Sequence, residues 1–169
     1  MISAAVSGTP WLVPGIAASL LLALLLCKKL GRYVGLWNVA AFLYIVSLGM
    51  VASITITPSL SEFTSSFCSL EFPSPVSPGE LAGTNQRSLN VLLFVPLGLA
   101  SALTRRRRGL LVGASSLSLP FIIEFIQYAI PSFGRTCQGV DIVDNLTGLA
   151  CGALLGVIVR VATRPGLHS

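Results

Sequence analysis

Five apolar runs dominate the chain and set what it can fold into. They lie near Pro10–Cys27, Val34–Thr57, Ser88–Thr104, Gly109–Pro131 and Asp141–Thr163. Crossing a bilayer core takes about 20 helical residues, with a range of about 17–25; the third run is short if it ends at Thr104. A segment in hydrocarbon must satisfy its own backbone N–H and C=O groups, which leaves helices and closed barrels. The runs are continuous rather than alternating, so they read as helices. The expected fold is all-α: a polytopic bundle of five transmembrane helices, one domain over residues 1–169. Charged residues make up only 10% of the chain, where a soluble domain carries about 25%. The first ten residues lack the basic stretch of a cleavable leader, so the first run reads as a retained span.

Orientation follows from the basic residues. Lys28, Lys29 and Arg32 lie between spans one and two, Arg105–Arg108 between spans three and four, and Arg160 and Arg164 at the end of span five. That places nine of the eleven Lys and Arg on one side, which the positive-inside rule assigns to the cytoplasm. The N-terminus is therefore expected outside and the C-terminus cytoplasmic. Only Arg87 and Arg135 fall on the external side, where Arg87 reads as an interfacial residue. No basic patch has the aromatic interleaving of a nucleic-acid surface, so nucleic-acid partners are excluded.

The external loop, 58–87, carries Glu62, Glu71 and Glu80 with Pro73, Pro75 and Pro78. Phe63, Phe67 and Phe72 in it suit a partly ordered lid at the membrane interface. Cys68 and Cys137 are the two cysteines in external loops, and an oxidising exterior permits a disulfide between them; two unpaired thiols or metal ligation are the alternatives. Cys27 and Cys151 read as small packing residues. No metal or other cofactor is expected: the only histidine, His168, is at the opposite end from the acidic residues.

The chemistry-bearing residues concentrate between Glu124 and Asn145. Ionisable groups inside a membrane span are costly, so they tend to face a bundle interior or a wet cavity. Glu124 and Gln127 are three apart and share a helix face, as do Asp141, Asp144, Asn145 and Gly148 at helical spacing. Gly148, Gly152 and Gly156 extend that face as a stripe along which backbones can approach closely. Asp141 or Asp144 could cap the N-terminus of its helix. Asn90 adds an amide at the outer end of span three. Arg135 is the one cation between spans four and five, and its fork is expected to bridge Asp141 or Asp144 and to reach toward Glu124. The set reads either as a polar network that locks the bundle or as an outward-opening polar pocket.

The run Asn90-Val-Leu-Leu-Phe-Val-Pro-Leu-Gly98, then Glu124-Phe-Ile-Gln127, Arg135, Asp141, Asp144-Asn145, Gly148 and Gly152, resembles the VanZ-like family, and Thr57-Pro58 fits as well. The likeness runs from about 57 to 156, leaving out the first span. It implies a multi-pass protein of the bacterial cell membrane. The family's namesake is associated with low-level resistance to teicoplanin, a lipid-bearing glycopeptide antibiotic that acts on the cell wall.

Two functional classes follow. The first is a binding protein for a membrane lipid or a lipid-bearing ligand, with Asn90, Glu124, Gln127, Arg135, Asp141, Asp144 and Asn145 around its headgroup. The second is an intramembrane enzyme acting on a lipid-linked envelope substrate, with Glu124 as general acid or base and Asp144 as its ionised partner. A transporter is disfavoured, because no charged path continues from Glu124 to the cytoplasmic side and no internal repeat is present.

Overall fold

The computed structural model describes residues 10–58, 67–71, 74–83, 85–104 and 109–163. Expectations for Glu62, Phe63, Phe72, Pro73, Arg105–Arg108, Arg164 and His168 lie outside the described residues. In chain order the elements are α1 (Leu12–Val34), α2 (Asn38–Thr55), β1 (Cys68–Ser69), α3 (Pro78–Leu81), α4 (Gln86–Ala102), α5 (Gly109–Ala129), a 3₁₀ turn (Pro131–Phe133), β2 (Cys137–Gln138) and α6 (Gly139–Ala162).

Helices α1, α2, α5 and α6 are each long and apolar enough to cross a membrane. Helix α4 has 17 residues, a length of roughly 26 Å at the usual rise, and packs against α2, α5 and α6. The outward surface is apolar: Leu24, Leu25, Leu110, Leu111, Phe125 and Leu154 are all exposed. Such a surface suits lipid contact and is far larger than the apolar patches of soluble monomers.

Helix α1 runs about two turns past Cys27, so Lys28, Lys29 and Arg32 lie on the helix rather than in a loop. The reason is that Lys and Arg are good helix formers and their long stems lift the charge away from the apolar surface. What ends α1 is Gly35, whose φ of 80° is the left-handed conformation of a helix C-terminus. Helices α1 and α2 then pack through a reciprocal exchange of small residues. Ser19 stands over Gly49, and Ser53 over Gly15. Each serine returns its hydroxyl to its own helix, Ser19 to Gly15 O and Ser53 to Gly49 O, both at 2.6 Å.

The most intimate contact joins α4 to α6. A side chain at Gly148, Gly152 or Gly156 would strike the carbonyls of Val91, Val95 and Leu99 in turn, and one at Gly98 would strike the backbone of Leu149. The three α6 glycines and the carbonyls they face differ by a constant 57 in number, so the two helices run parallel with their four-residue ridges in register. Phe94, Leu97, Ala100, Ile123 and Leu149 fill the core beside it.

Of the loop after α2, the described part is tied down. Strands β1 and β2 pair in parallel, Cys68 opposite Cys137 and Ser69 opposite Gln138, and Cys68 and Cys137 form a disulfide with a Cα–Cα distance of 4.4 Å. The short α3 is fixed by a capping box between Ser77 and Glu80, and the Ser77 backbone and side-chain hydrogen bonds hold the Glu80 carboxyl below its usual range. Val76 is buried, whereas Phe67 is exposed. Breaking the covalent tie with Cys137→Ser is expected to speed protease cleavage between residues 67 and 83, and reductant should do the same to the unaltered protein. Equal cleavage with and without the bond would show that the loop is held by other contacts. Of the remaining cysteines, Cys151 is exposed rather than packed in the core.

Candidate functional site

The polar residues meet at one end of the bundle, where α4 and α6 begin and α2 and α5 finish. Helix α4 starts with a capping box: Asn85 Oδ1 accepts from Ser88 N at 2.8 Å, and Ser88 Oγ accepts from Asn85 N at 3.2 Å. Ser88 Oγ also donates to Gly83 O. That arrangement fixes the first turn and aims Arg87 at α6.

Arg87 is the cation that pairs with the buried acid. Its Nε donates to Asp144 Oδ2 at 3.0 Å and its Nη2 to Asp144 Oδ1 at 2.8 Å. This is the two-pronged geometry that makes Arg–carboxylate pairs strong. Asp144 is 0% exposed, while the Arg87 side chain keeps 27% exposure. Arg87 Nη2 also donates to Ser74 O at 2.8 Å, and Nη1 lies 3.6 Å from Glu80 Oε1. The pair therefore ties the external loop to the start of the α4–α6 seam.

Arg135, expected to bridge Asp141 or Asp144, does neither. Its Nε donates to Thr57 O at 3.2 Å, and Gln127 Nε2 donates to Thr55 O at 2.9 Å. Both side chains serve carbonyls that the end of α2 leaves without helical partners, and a cation suits that end of the helix dipole. Burial lowers the affinity of the Arg135 guanidinium for its proton, and the nearby charge of Asp141 opposes that shift; arginine stays charged regardless.

The carboxylates at α6 are held differently from the expected N-cap. The N-cap position is Gln138, with no side-chain cap. Its backbone N–H is taken by Glu124 Oε2 at 2.6 Å, so an acid from α5 occupies the positive end of α6. Asp141 sits in the first turn of α6 and accepts from Asn90 Nδ2 at 2.8 Å. Asp144, the expected acid–base partner of Glu124, has both oxygens on Arg87.

Among the described residues, three polar atoms at this end are buried without a hydrogen-bond partner: Gln127 Oε1, Arg135 Nη2 and Asn145 Oδ1. Glu124, Gln127 and Asn145 are all nearly closed to solvent. The site is thus a partly satisfied network of two guanidiniums, three carboxylates and three amides.

Arg87 is the member that local charge counting does not find. A signal for it exists in the sequence. Arg87, Val91, Val95 and Leu99 repeat at the same four-residue step as Asp144, Gly148, Gly152 and Gly156. Laying one ridge along the other puts Arg87 opposite Asp144.

A model of the VanZ/LLP1 family matches residues 16–160. The chain belongs to the VanZ/LLP1 family. The match takes in α1 and α2 as well as the polar end, so it reaches further toward the N-terminus than the motifs from Thr57 onward. No curated protein and no solved structure matches this VanZ/LLP1 chain.

The described cavity of this VanZ/LLP1 protein lies away from the polar end. It has a volume of about 340 Å³ and sits between α4, α5 and α6, lined among others by Gly98, Ala102, Gly113 and Ala153. Ser101 and Ser116 also line it, their hydroxyls hydrogen-bonded to each other at 2.8 Å. The outward-opening polar pocket expected around Glu124 and the described cavity are therefore different places.

Proposed function

We propose that this chain is a five-span integral protein of the bacterial cell membrane, with α4 as the additional span, its N-terminus outside and its C-terminus cytoplasmic. In the outer leaflet its polar end holds the headgroup of a lipid-linked envelope precursor or a lipoglycopeptide. Such binding would change access to wall precursors, which gives a route to envelope maintenance or to teicoplanin-type resistance. The orientation is supported by Lys28, Lys29, Arg32 and Arg160, which all lie at the end of the bundle opposite Glu124.

The observation that carries this reading is the unpaired set. A network that served only to lock the helices would pair its buried groups, because each one left unmade costs about 1–3 kcal/mol. Among the described residues, Arg135 Nη2, Gln127 Oε1 and Asn145 Oδ1 are buried at this end of the bundle with no hydrogen-bond partner. A guanidinium suits a phosphate or carboxylate of the ligand. Glu124 and Asp141 suit its hydroxyl or ammonium groups.

The test is binding of teicoplanin and of a polyprenyl-linked wall precursor to the purified full chain in detergent. Arg135→Ala and Glu124→Gln should each weaken binding by about tenfold or more. Equal affinity across the three proteins would overturn the reading. The enzymatic alternative, with Glu124 and Asp144 as an acid–base pair, has no comparable support, because Arg87 engages both oxygens of Asp144. Chemically altered lipid in cells that express the protein, and not in cells expressing Glu124→Gln, would reverse that preference.

A further inference from the structure

The cleft between α4, α5 and α6 points to a second ligand. Its walls are Gly98 and Ala102 from α4, Gly113 and Leu117 from α5, and Leu149 and Ala153 from α6. At about 340 Å³ it falls within the roughly 300–1,000 Å³ of small-molecule sites. Gly113 has no neighbouring atom within 4 Å of where a Cβ would stand, so the cleft is open there. Helices α5 and α6 are of membrane-crossing length, so the surroundings of this opening are hydrocarbon, and an apolar cleft in that setting is filled by an acyl chain rather than by water.

Beyond one end of the cleft stands a cation with no ion-pair partner among the described residues. Arg160 lies two turns beyond Ala153 on the same face of α6. Its Nη1 makes one long contact to Thr104 O, at 3.4 Å, and its buried Nε has no partner among the described residues. Every Asp and Glu of the chain lies between positions 62 and 144, and among the described residues no carboxylate forms an ion pair with Arg160. Acid 144 is itself roughly 24 Å up the helix. Basic pockets between membrane helices at this end bind anionic headgroups.

We infer that the α4–α5–α6 cleft is a binding site for an anionic phospholipid of the surrounding bilayer, with an acyl chain between Gly113 and Ala153 and the phosphate on Arg160. This site is separate from the polar end around Arg135 and does not depend on it.

The test is native mass spectrometry of the full chain released from detergent with phosphatidylglycerol or phosphatidylcholine carrying the same oleoyl chains. The unaltered protein should retain phosphatidylglycerol about tenfold better. Arg160→Gln should erase that preference, and Arg160→Lys should keep most of it. Gly113→Leu, which places a side chain in the open cleft, should lower phosphatidylglycerol retention several-fold while Arg160 is still present. Arg135→Ala should retain the lipid as the unaltered protein does. Equal retention of the two lipids by the unaltered protein, or an unchanged preference in Arg160→Gln, would overturn the headgroup assignment. Unchanged retention in Gly113→Leu would overturn the acyl seat.

Discussion

Arg87→Ala is expected to destabilise the protein by about 3–5 kcal/mol, the usual cost of removing one partner from a buried ion pair. The asymmetry of the pair decides which variant is worse. Asp144 is 0% exposed and has both oxygens on Arg87, so losing Arg87 strands a carboxylate with no water to turn to. Asp144→Ala strands an arginine that is 27% exposed and still has Ser74 O at 2.8 Å and Glu80 at 3.6 Å. Its cost should be smaller, about 1–3 kcal/mol. The double variant Arg87→Ala/Asp144→Ala should recover stability relative to Arg87→Ala alone, because the stranded charge is gone. Arg87→Lys should rescue only in part, since an ammonium cannot bond both oxygens as a fork does. Denaturant or thermal unfolding in one detergent, arranged as a double-mutant cycle, measures all four. A coupling of zero between positions 87 and 144 would mean that the pair contributes nothing to the fold.

The helices were legible in the sequence because their physics is local. Apolar runs of membrane length have few alternatives once backbone groups must be satisfied without water. Their ends were less legible. Hydropathy stops α1 at Cys27, yet the chain stays helical to Val34, because Lys28, Lys29 and Arg32 favour helix and Gly35 is the first residue that breaks it. At the opposite end of the bundle, Glu124, Gln127, Arg135, Asp141, Asp144 and Asn145 stand out as polar residues in apolar surroundings, and the fold gathers them. Which of them touch is a different question. Arg135 is near Asp141 and Asp144 in the chain, but Arg87, 57 residues before Asp144, makes the contact. That choice is set by the register of α4 on α6, a non-local property that charge counting within one connection does not capture. Ser74 and Glu80 join the site for the same reason, carried there by a loop whose course is held by Cys68 and Cys137.

The register itself can be tested at the glycines, where the largest structural loss is expected. Gly152→Leu should cost about 4 kcal/mol or more, in the range reserved for severe overpacking of a core. The new side chain would meet the carbonyl of Val95 and the backbone of Leu99. Backbone cannot turn aside as the end of a flexible side chain can, so α4 must move off α6. That movement would break the Arg87–Asp144 and Asn90–Asp141 contacts along with the seam. Helix propensity works the other way, since leucine favours helix over glycine by roughly 0.8 kcal/mol, and it is too small to compensate. Gly113→Leu is the matched control: a Cβ at this position on α5 meets nothing within 4 Å, so the side chain enters the open cleft and should leave detergent stability unchanged or slightly raised. If Gly152→Leu unfolds no more readily than Gly113→Leu, α4 and α6 do not pack backbone against backbone, and the assembly of the polar end would need another cause.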